Sequence, residues 1–329
     1  MTTAKKRIVS GMRPTGALHL GNLHGALQNW INMQETYDCY FFIADWHALT
    51  SDYEDPGNIE NYTRNMMIDW LAAGLSPEKC VLFVQSRVRE HAELFLLLSM
   101  ITPVPWLERN PTYKEQIDQL ENRDLSTFGF LGYPVLQAAD IIIYKADGVP
   151  VGVDQAPHIE LTREIARRFN HLYGRVFPEP DTVLTETSKI LGIDRRKMSK
   201  SYNNAIFLSD PPETIRKKVA RMITDPQRIK RTDPGDPSVC NVFTFHGFYS
   251  PPELVTEIDS ACRNAEIGCV ECKKKMAGHL IEFLAPVRER IEYYRTHTDQ
   301  VEQIMAAGSD RAREVAGRTL AEVRGAIKI

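Results

Sequence analysis

The chain has 329 residues, about twice the usual length of one domain, so one large or two moderate domains are expected. Hydrophobic residues make up 43% and charged residues 25%, the balance of an ordinary globular chain, which excludes a disordered or low-complexity protein. Forty basic residues against 43 acidic ones give a net charge of −3, so bulk attraction to nucleic acid is excluded and any polyanion must be held by a local patch. The longest weakly polar run, Leu94 to Leu107, is 14 residues long and broken by Pro103 and Pro105. A membrane helix needs about 20, so none is expected. The basic start, Met1 to Arg7, is followed by no long apolar segment, so no signal peptide is expected either and the chain reads as cytoplasmic.

The first half alternates strand and helix. Arg7 to Ser10 reads as a strand, followed by the breaker run Gly11-Met12-Arg13-Pro14-Thr15-Gly16. A helix is expected from Gly21 to about Glu35, and Cys39 to Trp46 is a buried-strand run. Ile59, Tyr62, Met66, Trp70 and Leu71 recur at helical spacing as a core stripe, with Gly74 where a cap belongs. Val81 to Gln85 and Val149 to Val153 are further strands, and a helix follows from His158 to Asn170. Cys39 and Cys80 read as buried strand residues. This alternation predicts an α/β fold, a Rossmann-like doubly wound parallel sheet, with ligands beyond the carboxyl ends of its strands. After Asp194 strand signals fade. Helices are predicted at Pro212–Met222, Pro252–Arg263, Glu271–Thr296 and Thr298–Lys328. The expected domains are 1–194, a catalytic sheet domain; 195–204, a mobile lysine and serine loop; and 205–329, a helical domain whose last helix packs back on the first.

Two motifs carry chemistry. His19-Leu20-Gly21-Asn22 follows a strand and a Gly/Pro turn and opens a helix, where free N–H groups and a positive dipole end favour phosphate. Gly16 and Gly21 let a nucleotide approach the backbone. Lys197-Met198-Ser199-Lys200-Ser201 places two lysines three apart around a hydroxyl, a loop able to neutralise a polyphosphate as charge develops on it. Together they resemble the signature of the class I aminoacyl-tRNA synthetases, with Asn22 in place of the usual final His of the first motif. Tyr133-Pro134-Val135-Leu136-Gln137-Ala138-Ala139-Asp140 and Gly152-Val153-Asp154-Gln155, with His158, Glu160, Leu161 and Arg163 following, resemble the bacterial tryptophanyl-tRNA synthetases. So do Ser10 to Gly16 and Asp45 to Thr50. The resemblance spans residues 8 to 205. The nearest alternatives are the tyrosyl-tRNA synthetases and related nucleotidylyl transferases, which do not need the second motif with a helical half. A catalytically lost RNA-binding or redox-sensing relative is disfavoured by the intact lysines.

The resemblance implies two steps: tryptophan attacks the α-phosphate of ATP, and the tryptophanyl group then passes from the adenylate to tRNA(Trp). It places Arg13, Pro14, Thr15, His19, Gly21 and Asn22 around ATP, Gly152, Val153 and Asp154 near the ribose, and Ile190 near the adenine. Lys197, Lys200 and Lys114 are assigned to the pyrophosphate, with Met198, Ser199 and Ser201 completing the loop and Mg²⁺ bound through ATP oxygens. Arg13 stands where relatives often carry Gln. Asp140 is the expected partner of tryptophan, because the indole N–H is a donor only and a site built for that bond rejects Phe. Tyr133, Gln137, His47 and Gln155 are expected around the amino acid, Gln137 standing where many relatives carry Met. A two-fold homodimer is implied by resemblance alone. Arg216, Lys217, Lys218, Arg221, Arg228, Lys230 and Arg231, with Lys273, Lys274 and Lys275, form the expected tRNA face.

Cys240, Cys262, Cys269 and Cys272 are spaced Cys-x21-Cys-x6-Cys-x2-Cys. Structural disulfides are disfavoured in the cytoplasm, and four thiolates suit zinc or a 4Fe–4S iron–sulfur cluster. The spacing resembles that of a subset of bacterial tryptophanyl-tRNA synthetases that carry such a cluster. This ranks iron–sulfur first, zinc second and bare thiols third.

Overall fold

The structure, a computed structural model, describes residues 5–109, 126–152, 156–184 and 190–329. Lys114, Val153, Asp154 and Gln155 lie outside the described residues.

Five strands form one sheet: β1 (Arg7–Met12), β2 (Asp38–Ile43), β3 (Cys80–Val84), β4 (Gly148–Val151) and β5 (Asp181–Leu184). All neighbours are parallel, in the order β3-β2-β1-β4-β5. The Rossmann-like class expected from the alternation is the fold observed. β2 and β3 are covered on both faces, which is why their sequences are continuous apolar runs rather than alternating ones. Cys39 and Cys80 lie opposite each other across this pair, both buried. The strand order reverses between β1 and β4, which opens a crevice at their carboxyl ends.

The connections position the crevice. The helix expected from Gly21 starts at Leu20 and is not regular: α1 (Leu20–Asn22) passes through a π turn (Leu23–Leu27) into α2 (Gln28–Met33). The strand expected over Cys39–Trp46 is corrected. β2 stops at Ile43, and Asp45 opens α3 (Asp45–Asp52), its Oδ1 accepting from the Trp46 and Ser86 N–H groups at 3.1 and 3.0 Å. α4 (Ile59–Ala73) buries Met66 and Trp70 as the stripe predicted. Trp30 stacks on Phe41 at 4.6 Å and meets Trp70 edge-on at 5.2 Å. Among the described residues this half has four further helices, α5 (Glu90–Ser99), α6 (Val104–Glu108), α7 (Phe128–Ile142) and α8 (Ala156–Tyr173).

The second half contains α9 (Pro212–Ala220), α10 (Asn241–Tyr249), α11 (Pro252–Arg263), α12 (Cys269–Thr296) and α13 (Thr298–Ile327). Two cores face the sheet. Phe41 and Ile43 point into one, shared with Ile206, Leu208, Phe245 and Leu280 of the helical half. Tyr40 and Phe42 point into the other, with α7, α8 and Ala312, Ala316 and Leu320 of α13. No described helix is long and apolar enough to cross a membrane.

α13 lies along β3, the edge strand, and covers what would otherwise be an open template for pairing. The approach is close enough that a Cβ on Gly308 would sit 1.8 Å from the Leu82 carbonyl oxygen. Backbone cannot retreat as a flexible side chain does. Gly308→Ala is therefore expected to destabilise the fold by about 3 kcal/mol, the upper range of overpacking, read as a lower urea midpoint. An unchanged midpoint would show that α13 does not seat on β3.

Candidate active site

The crevice between β1 and β4 holds a cavity of about 360 Å³. Its walls include Arg13 after β1, His47 of α3, Tyr133, Gln137 and Asp140 of α7, Gly152 after β4 and His158 of α8. The second sequence motif reaches the first through backbone. Leu20 N–H donates to Ile206 O and Leu208 N–H to Leu18 O, both at 3.0 Å.

His19 caps α1. Its Nδ1 accepts from Asn22 N–H at 3.3 Å, while Asn22 Oδ1 accepts from His19 N–H at 3.0 Å. Asn22, expected at ATP, is thus committed to a reciprocal cap. Burial, then the Lys200 charge, lowers the His19 pKa to about 4. The ring is therefore neutral, and with Nδ1 accepting, its proton sits on Nε2, a donor. Gly21 has a steric reason: a Cβ there would lie 3.0 Å from the His19 ring and 3.4 Å from Met198 Cβ. Leu18 N–H donates to the buried Asp69 carboxylate at 2.9 Å; burial raises the Asp69 pKa to about 6.

Residues 190–204 fold around Asn204. Its Oδ1 accepts from Ser199 N–H at 2.8 Å, and its Nδ2 donates to Asp194 Oδ1 at 2.7 Å and Lys197 O at 3.1 Å. Met198 and Ile190 are buried, Ser199 and Ser201 share a hydroxyl bond of 2.9 Å, and Lys197 is exposed. Lys200 Nζ donates to Thr15 O at 2.9 Å and approaches Thr15 Oγ1 at 3.3 Å. The two motifs therefore meet, with an ammonium on the glycine turn beside the buried Pro14.

In the cavity, Arg13 Nη1 reaches Ser51 Oγ at 3.4 Å. Tyr133 pairs with His158 Nε2 at 3.2 Å, and burial pushes its phenol up to about 12. Asp140 has no exposed surface. Its carboxylate accepts from His47 Nε2 at 2.8 Å, His91 Nδ1 at 2.6 Å and Gln85 Nε2 at 2.8 and 2.9 Å. Burial alone would raise its pKa; the bonds from His47 and His91 outweigh that and hold it low. The buried carboxylate expected from the sequence is therefore already engaged by donors, and His47 lines the cavity beside it. Gln85, His91, Tyr144 and Asp69 carried no reading from sequence, because each lies in an apolar stretch that looks like core.

The four cysteines converge between the segment before α10, the end of α11 and the first turn of α12, near enough that Cys272 feels the other three thiols and Cys262 feels Cys240 and Cys269. Arg228 Nη1 lies 3.6 Å from Cys262 Sγ and 4.0 Å from Cys269 Sγ, and His246 Nε2 lies 3.4 Å from Cys272 Sγ. Burial raises the Cys240 and Cys262 thiols and takes Cys272 to about 12. Among the described residues no three His, Cys, Asp or Glu side chains stand in a group that could hold a metal ion. The basic face is also smaller than the sequence suggested. Lys218 pairs with Asp210 at 2.6 Å, Lys273 caps Ala220 O at 2.9 Å, and Arg228 is spent on the thiols and on the Ile267 carbonyl. Lys217, Arg221, Lys230, Arg231 and Lys274 are exposed, with Ile229 among them at 87%.

The chain is similar to known proteins over nearly its whole length. The family model described as tRNA synthetases class I (W and Y) matches residues 1–285. A tryptophan–tRNA ligase of Thermotoga maritima is 51% identical, over 98% of this chain and 99% of its own. That of Aquifex aeolicus is 48% identical, over 98% of this chain and 100% of its own. A crystal structure of tryptophanyl-tRNA synthetase from Campylobacter jejuni, complexed with ADP and tryptophan, superposes with a TM-score of 0.91 at 30% identity, covering 98% of this chain and 100% of that one.

Lys200 gives the site a pH signature. Burial lowers its pKa to about 8, with Asp69 opposing. A polyphosphate beside the amine favours the ammonium, so binding of Mg²⁺–ATP near pH 8 is expected to take up about half a proton. The uptake should vanish near pH 6.5, where Lys200 is already charged. Calorimetry in buffers of different ionisation enthalpy measures it; no uptake at pH 8 would place the triphosphate away from Lys200.

Proposed function

Because the chain belongs to the class I tRNA synthetases of the tryptophan and tyrosine branch, we propose that its crevice is the site of tryptophan activation and transfer to tRNA(Trp). The chain is a tryptophan–tRNA ligase, an aminoacyl-tRNA synthetase. The single observation that carries the site assignment is the cavity itself. It runs from Arg13, on the turn where the Lys200 ammonium donates to Thr15 O, to the Asp140 carboxylate.

The tryptophan carboxylate attacks the α-phosphorus of ATP, the bond to the bridging oxygen breaks, and pyrophosphate leaves with the electron pair. The carboxylate needs no activating base, so the protein's work is alignment and charge stabilisation. His19 donates from Nε2 to a phosphate oxygen. Lys200, and Lys197 once the loop closes on ligand, neutralise the leaving pyrophosphate; Lys114 joins them by resemblance. Mg²⁺ arrives on the ATP oxygens. Gly152, Val153 and Asp154 take the ribose and Ile190 the adenine. Arg13 belongs with ATP; Tyr133, Gln137, His47 and Gln155 surround the amino acid, and Asp140 selects the indole N–H. The exposed Lys217, Arg221, Lys230, Arg231 and Lys274 offer phosphate contacts to tRNA.

Two further readings belong here. We assign a 4Fe–4S cluster to Cys240, Cys262, Cys269 and Cys272. Four converging thiols, with the Arg228 guanidinium on two of the sulfurs, suit an anionic thiolate-held cluster that fastens α11 and α12 to the segment before α10. When bound, such a cluster contributes a rigid clip and a polarised surface beside Lys273–Lys275. A second copy of the chain is the partner we assign to the exposed Leu96, Met100, Val104 and Phe128, carried by the adjoining α5, α6 and α7. The working compartment is the cytoplasm.

ATP–pyrophosphate exchange, run with each of the twenty amino acids, tests the activity: tryptophan is expected to stimulate it, and stimulation by tyrosine alone would move the chain to the sister branch. Lys200→Ala is expected to lower kcat far more than it raises the KM for ATP, as for interactions made mainly in the transition state; an effect confined to KM would make Lys200 a uniform binder. Anaerobic purification is expected to yield about four iron and four sulfide per chain. Stoichiometric zinc without iron would replace the cluster by a zinc site.

A further inference from the structure

Behind Asp140 stands a set of buried polar groups that the reaction itself does not use. Of the three donors to its carboxylate, only His47 lines the cavity. Gln85 and His91 have no exposed surface, and neither has Tyr144, whose hydroxyl meets His91 Nε2 at 2.6 Å. A buried polar chain of this kind is costly unless each member is satisfied. Here one is not: Gln85 Oε1 is buried without a partner. The amide is held with its Nε2 toward Asp140 even at that cost, because the reverse orientation would set oxygen against carboxylate.

A neutral imidazole carries one N–H, and its position decides whether Asp140 meets a donor or a lone pair. Burial, and then the neighbouring Asp140 charge, keep the Tyr144 phenol protonated. Its O–H donates to His91 Nε2. In the tautomer where Nε2 accepts from the phenol, the His91 N–H lies on Nδ1, which donates to Asp140 Oδ1 at 2.6 Å. Oδ2 faces His47, the one partner at the cavity wall.

We propose that Tyr144 and His91 are positioning residues for substrate selection: Tyr144 sets the His91 tautomer, His91 and Gln85 clamp the Asp140 carboxylate from behind, and its Oδ2 edge, capped by His47, is kept for the indole N–H. This rests on the reading of Asp140 as the indole acceptor. His47 is the donor that yields when tryptophan enters, since it alone has space to move into. The clamp keeps the carboxylate from following it.

The test compares tryptophan with β-(benzothiophen-3-yl)alanine, in which sulfur replaces the N–H, in ATP–pyrophosphate exchange. The wild-type protein is expected to prefer tryptophan, and Asp140→Asn to abolish that preference. Tyr144→Phe is expected to reduce the preference about fivefold, the worth of one hydrogen bond, through the KM for tryptophan, with the analogue's KM changed by less than about twofold. His91→Asn presents an amide N–H near the Nδ1 position without a tautomer to set. It is expected to keep the preference and to be indifferent to Tyr144→Phe added on top. A loss shared equally by both substrates in Tyr144→Phe would make the residue structural and overturn the proposal. So would an unchanged preference in that variant while Asp140→Asn abolishes it. If Asp140→Asn also leaves the preference intact, the acceptor reading falls and the proposal falls with it.

Discussion

A carboxylate with no exposed surface is tolerated only where donors surround it, and one end of the cavity is built around that requirement at Asp140. His47 comes from α3, Gln85 from the end of β3, His91 from α5, and Tyr144 from the turn after α7. Two stretches distant in sequence, α3 and the Gln85–His91 segment, converge on one side chain of α7, and Tyr144, one turn beyond it, joins through His91. Their convergence sets the depth of the cavity, its back wall and the charge it presents. It also separates roles: three of the groups are sealed from solvent, and one, His47, is at the cavity wall.

The nucleotide end depends on a different constraint. Leu18 and Leu20 exchange backbone bonds with Leu208 and Ile206, so the turn that carries His19 is held by the segment that follows the lysines. The buried Asp69 holds the same turn from α4 through Leu18 N–H. His24, in the π turn, bonds Tyr249 of α10 at 2.8 Å, which ties the helix opened by His19 to the helical half.

The two motifs that meet at the glycine turn were legible in sequence because each is local: His19 to Asn22 and Lys197 to Ser201 are each a few consecutive residues with an unusual composition. Asp140 was legible because a carboxylate amid Val135, Leu136 and Ile141 to Ile143 needs a reason. Its partners were not. Gln85, His91 and Tyr144 each sit in or beside an apolar run, and only tertiary convergence shows that they touch. The same distinction runs through the fold. β2 and β3 announce themselves as two-sided apolar strands, whereas β5 is a short edge strand with no buried face to pattern it. α10, Asn-Val-Phe-Thr-Phe-His-Gly-Phe-Tyr, is apolar on several sides and shows no helical period. Basic residues counted as a tRNA face lost Lys218, Lys273 and Arg228 to internal contacts, because sequence gives charge without direction.

The most direct test of this account is a crystal structure of the protein with tryptophan and a non-hydrolysable ATP analogue. One cavity should hold both, the indole nitrogen within hydrogen-bond distance of Asp140 Oδ2 with His47 turned aside, and the triphosphate between His19 and Lys200. An indole that leaves the His47–Asp140 bond intact, or a triphosphate that does not meet the glycine turn, would contradict it.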